Sequence, residues 1–127
     1  MNALLFLVIA VAGGAGATAR FMLDALIKAT AKTDLPVGTQ VINVSGSLAL
    51  GVITGLALGG TVAEPWALVL GTGFLGGYTT FSTASYETLR LLLDGRPLAS
   101  AANALGMLAA AVAAAALGLS AGMWLAA

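Results

Sequence analysis

The residues best suited to chemistry lie in one run, Gly71-Thr72-Gly73-Phe74-Leu75-Gly76-Gly77-Tyr78-Thr79-Thr80-Phe81-Ser82-Thr83, where glycines meet a cluster of hydroxyls. That combination predicts a helix break over 76–80. A break exposes both signs of partial charge: carbonyls ending one half-helix can hold a cation, and amides opening the next favour an anion. Oxygen donors without a carboxylate suit Na⁺ better than Mg²⁺ or Ca²⁺. The competing reading has each hydroxyl simply bonding back to the carbonyl one turn earlier.

Asn43 is the second focus. An amide in the middle of an apolar stretch must find partners, and its two N–H donors could meet an anion or clasp a neighbouring helix. Glu87 lies beyond the break and could cap backbone amides, take up protons or pair with Arg90 at a three-residue helical spacing, of which a structural role is favoured.

The elements that must carry these residues follow from composition. With 60% apolar side chains, 8% charged ones and a mean hydropathy of +1.03, the 127-residue chain is too hydrophobic for an ordinary soluble domain. The membrane is its expected solvent. Five basic residues balance five acidic ones, so no basic face exists for nucleic acid. Without Cys or His there are no disulfides and no thiolate or imidazole metal sites, and acid–base catalysis has few candidates. The expectation is a protein that is not an enzyme. The first apolar run has no basic segment before it and continues past Gly13 and Gly16, which reads as a retained span rather than a cleaved leader.

A bilayer core of about 30 Å takes roughly 20 apolar residues as helix. Charged or proline-containing breaks divide the chain into spans of about that length or more at 3–22, 36–58, 65–93 and 98–125, a single four-span domain. Small residues recur every fourth position at Ser47, Gly51, Gly55 and Gly59, and again at Gly106, Ala110, Ala114, Gly118 and Gly122, which predicts close helix packing. As one helix the third span would reach about 43 Å at 1.5 Å per residue, so it must tilt or break. Irregular backbone is tolerated at membrane depth only against protein or a polar cavity. Each helix is about 10 Å across, so these spans cannot easily enclose a polar path alone, and oligomerisation is expected.

Three segments together resemble the Fluc (CrcB) fluoride channel family across nearly the whole chain: Gly13-Gly14-Ala15-Gly16-Ala17-Thr18-Ala19-Arg20, the stretch from Pro36-Val37-Gly38-Thr39 to Asn43-Val44-Ser45-Gly46, and Gly76-Gly77-Tyr78-Thr79-Thr80-Phe81-Ser82-Thr83 with Glu87. The resemblance implies an all-α membrane protein with four transmembrane helices, the third broken near the midplane. It also implies an antiparallel dimer in the cell (inner) membrane, with a structural Na⁺ at its centre held by the backbone carbonyls of Gly76 and Thr79. Fluoride would pass the Asn43 amide, the Ser82 and Thr83 hydroxyls and the Phe81 ring edge, whose positive rim can join such donors. Arg20 reads as an interfacial anchor able to gather anions at the pore mouth. Two departures put equivalent pores in doubt: the second family phenylalanine is Ala84, and positions that are often Tyr or Ser are Asn103, Met107 and Ala111.

Four spans place the termini and the 59–65 loop on one side, and the 23–35 and 94–97 loops on the other. All five Lys and Arg fall on or near the second side. The positive-inside rule then puts the termini outside. Such bias predicts one fixed orientation and pairing with a related, oppositely biased subunit; the rival is a homodimer of dual topology. A small multidrug-type proton-coupled transporter shares the size and span number, but needs an embedded carboxylate in the first span, which has none before Asp24.

Overall fold

The computed structural model describes residues 2–127, and these are all helix and connection. Helix α1 is Ala3–Thr30, opened by the Asn2 side chain, which accepts from the Leu5 N–H at 2.9 Å. It outruns the apolar span expected to end at residue 22. Lys28 reaches back one turn to Asp24 at 2.6 Å, so the charged segment is stable as helix and projects past the hydrocarbon. Helix α2, Val37–Leu58, starts directly after Pro36.

The third crossing is composite. Helix α3, Glu64–Ala67, runs into a π-helical stretch, Leu68–Leu75, and then into α4, Gly76–Tyr78. Thr79 and Thr80 are extended, with φ/ψ of −82/160 and −148/123, and α5, Phe81–Leu93, completes the crossing. The break expected over 76–80 therefore falls on its last two residues. Gly95, at φ 73, turns the chain into α6, Pro97–Leu125.

Close backbone approach holds the bundle. On α6 a methyl group at Gly118 would strike the Leu48 carbonyl, and one at Gly51 would strike the Ala115 carbonyl, so α2 and α6 pack through glycine from both sides. The predicted stripes hold only in part: Gly51, Gly55, Ala114, Gly118 and Gly122 are buried and Gly59 packs against Ala126, whereas Gly106 and Ala110 are exposed. The broken crossing lies against α1 in the same manner, since a methyl at Gly16 would collide with the Phe74 carbonyl and one at Gly77 with the Gly13 carbonyl. Glycine at these contacts leaves no room for side chains and lets the π stretch ride directly on its neighbour.

Helices α1, α2 and α6 are each long and apolar enough to cross a membrane, and the broken segment supplies the fourth crossing. Large apolar side chains such as Leu4, Phe6, Val11, Leu98 and Leu117 point outward, while the buried apolar side chains are few. Lipid, rather than a thick hydrophobic core, solvates such a surface. This is a multi-pass membrane protein.

Candidate ion site at the helix break

Breaking a helix at membrane depth strands peptide groups, each costing several kcal/mol in hydrocarbon. Asn43 on α2 takes up both backbone polar groups of one residue, Thr80. Its Nδ2 donates to the Thr80 carbonyl and its Oδ1 accepts from the Thr80 N–H, both at 2.8 Å. Its remaining amide proton has only the Met107 sulfur, at 3.4 Å. The Thr80 hydroxyl caps α5 by accepting from the Thr83 N–H at 3.2 Å, and donates to Thr83 Oγ1 at 3.0 Å.

Below the break, Arg20 Nε donates to the Gly77 carbonyl at 3.2 Å, a cation at the C-terminal end of α4. The Thr79 hydroxyl bonds back one turn, as the competing expectation has it: the N–H and the hydroxyl of Thr79 both donate to the Leu75 carbonyl at 2.9 Å. The carbonyls of Leu75, Gly77 and Thr80 are thus engaged. Outside the regular helical ladders, those of Gly76, Tyr78 and Thr79 accept no hydrogen bond among the described residues.

An open groove of about 760 Å³ runs along the break, lined by Asn43, Gly76, Thr79, Thr80, Phe81 and Met107 among others. The structure brings Asn43, Gly76, Thr79 and Phe81 to this one surface. Ser82 and Thr83 lie off the lining, although a 3.4 Å contact from Ser82 Oγ to the Thr80 hydroxyl ties Ser82 to the same cluster. The Phe81 ring is 88% exposed and touches little of its own chain. Glu87 is half-buried near Thr39, Asp24 and Lys28. It does not pair with Arg90, because Asp24–Lys28 is the only ion pair among the described residues. Asp24 Oδ1 and Glu87 Oε2 are both buried without a hydrogen-bond partner there.

A family model described as CrcB-like protein, Camphor Resistance (CrcB), matches residues 7–119. The chain belongs to this family. A relative named fluoride-specific ion channel FluC 1, from Leifsonia xyli subsp. xyli (strain CTCB07), is 49% identical over 119 residues, covering 94% of this chain and 87% of its own length. Fluoride-specific ion channel FluC 2 of Cutibacterium acnes (strain DSM 16379 / KPA171202) is 48% identical, with 90% and 94% covered. A relative from Pyrococcus horikoshii, named fluoride-specific ion channel FluC, is 40% identical with 81% and 83% covered.

The departures noted in the sequence now have places. Ala84 is buried, 7% exposed, at the wall of the groove, so its methyl leaves space where a ring would stand. Met107 sits on the Asn43 amide, and Ala111 lines the groove beside it. Asn103 is not a lining residue: it is 3% exposed, accepts from Gln40 Nε2 at 2.8 Å and donates to Thr88 Oγ1 at 2.8 Å. Ser100 adds a 2.7 Å bond to the Thr88 carbonyl. Sequence reading passed over Gln40, Thr88 and Ser100. The available signal was polar side chains inside apolar spans, but their partners are 12 to 63 residues away and no spacing rule pairs them.

Proposed function

We propose that this chain is a subunit of a fluoride-selective channel that lets fluoride leave the cytoplasm passively across the inner cell membrane. The names of its relatives support fluoride as the ion. The observation that carries the reading is the Asn43 clasp on the Thr80 backbone, which keeps the third crossing open beside a groove.

Fluoride is compact and strongly hydrated, so a path for it needs several weak donors rather than one tight site. Three unspent donors gather at the break. The second Asn43 proton faces a thioether, a weak acceptor that an anion readily displaces. Thr83 Oγ1 accepts from Thr80 and retains its own proton, and the exposed Ser82 hydroxyl has only its long 3.4 Å contact. The Phe81 edge, bare in the single chain, fits a path whose other wall is a second subunit, itself or a related chain of opposite orientation.

A structural Na⁺ fits the carbonyls of Gly76 and Thr79. With that of Tyr78 they are the carbonyls at the break that accept no hydrogen bond outside the helical ladders, and no carboxylate cluster stands among the described residues to hold a divalent ion. When bound, Na⁺ would supply a positive charge to backbone oxygens that the break leaves without donors.

The charge bias of the loops supports one orientation with both termini outside. The chain reconstituted into fluoride-loaded liposomes should release fluoride, read with a fluoride electrode, while chloride-loaded vesicles stay closed. Equal release of both ions, or of neither, by the chain alone and with a related subunit, would overturn the reading.

A further inference from the structure

The polar chain Gln40–Asn103–Thr88 has no part in the break, yet it ends in the groove. One face of α5 lines that groove through Phe81, Ala84, Ser85, Thr88 and Leu92, spaced so that they stack along the helix. Only two of these carry a hydroxyl. Ser85 spends its proton on the Phe81 carbonyl at 2.9 Å, as Thr18, Thr54 and Ser120 do on the carbonyls four residues before them.

Thr88 departs from that habit. Asn103 Nδ2 donates to its Oγ1 at 2.8 Å, and Ser100 Oγ pins its carbonyl at 2.7 Å. The amide of Asn103 is itself fixed in orientation, because its Oδ1 accepts from Gln40 Nε2 at 2.8 Å and only its nitrogen end is left to meet Thr88. A hydroxyl that accepts from an amide keeps one O–H to give, and no acceptor for it occurs among the described residues. Thr88 stands seven residues past Phe81 on one helix, about 10 Å further along the groove at 1.5 Å per residue.

We infer that Thr88 is a further anion-contacting donor on the path, its hydroxyl proton turned into the groove by Asn103, which acts as a positioning residue. This rests on the fluoride-channel reading. An ion leaving the Asn43 and Phe81 region meets the Thr88 O–H next, so a lane with its second aromatic replaced by Ala84 still offers a donor beyond that gap. The Gln40 end faces a separate small cavity of about 180 Å³, so the chain of amides also ties α2, α6 and α5 together at this level.

Thr88→Val keeps the shape and removes the donor. Fluoride efflux from proteoliposomes should fall at least about tenfold, Thr88→Ser should recover most of the rate, and Asn103→Leu should slow efflux with Thr88 still present. Gel filtration should show the assembly of each variant unchanged. If Thr88→Val fails to fold, the smaller Thr88→Ala decides the question in its place. Efflux equal to wild type from the assembled valine or alanine variant overturns the inference while leaving the channel reading intact. A wild type that passes no fluoride in any assembly overturns both.

Discussion

The side chain of Asn43 and the backbone N–H and carbonyl of Thr80 form a closed pair of hydrogen bonds, N–H to carbonyl and carbonyl to N–H, each 2.8 Å long. An amide side chain thereby does for one residue what a neighbouring helical turn would otherwise do. Replacing Asn43 with Leu leaves the N–H and the carbonyl of Thr80 unsatisfied in an apolar setting, at a cost of about 1–3 kcal/mol for each group. The thermal midpoint of Asn43→Leu in detergent, followed by tryptophan fluorescence, should drop by many degrees. A midpoint matching wild type would mean the break is held elsewhere.

Two glycines on α6 should behave oppositely. Gly118 rests on the Leu48 carbonyl, whereas nothing lies within 4 Å of the place where a Gly106 side chain would begin. Gly118→Ala forces α2 and α6 apart and should cost about 1–3 kcal/mol, as overpacking does. Gly106→Ala should leave the subunit's unfolding midpoint in place. Equal sensitivity at both sites would contradict the packing described.

Arg20 holds the Gly77 carbonyl through Nε, an atom that lysine lacks. Arg20→Lys keeps the charge near the end of α4 but not this bond, and Arg20→Gln loses the charge as well. Stability should fall in the order wild type, Lys, Gln, with the first step about 0.5–1 kcal/mol, the size of an ordinary hydrogen bond. A lysine variant less stable than the glutamine variant would show that charge at this position is a burden.

Orientation can be read with single cysteines, since the chain has none of its own. With the termini outside, Thr61→Cys reacts with an impermeant maleimide on intact cells and Thr33→Cys reacts only after permeabilisation. Labelling of both positions in intact cells would instead establish dual topology and favour a homodimer.

Much of this was legible in the sequence because lipid imposes simple rules. Span number follows from hydropathy, and a break within 76–80, found at Thr79 and Thr80, from glycines set against hydroxyls at the expected midplane. The length of α1 was not legible, because a hydropathy window ends where charge begins, while the helix continues through the Asp24–Lys28 pair to Thr30. The stripe on α6 extended too far in the reading: periodicity marks Gly106 and Ala110 as well as Gly118, but α2 covers only the later part. The two donors of Asn43 are evident from its place in an apolar span, yet their use on Thr80 and Met107 depends on contacts 37 and 64 residues apart. Local pattern carries no record of such pairs, and the same holds for Gln40, Asn103 and Thr88.

The most direct measurement is fluoride efflux through Asn43→Asp beside wild type in the same vesicles. The aspartate keeps the acceptor for the Thr80 N–H but removes both amide protons, one from the Thr80 carbonyl and one from the path, and adds a carboxylate oxygen that repels an anion. Wild type should release fluoride rapidly, with a related subunit added if the chain needs one, and the folded variant should lose at least about a hundredfold, about 2.7 kcal/mol at 1.36 kcal/mol per tenfold. Undiminished efflux through a folded Asn43→Asp protein would show that fluoride does not pass the clasp, and would contradict the central claim.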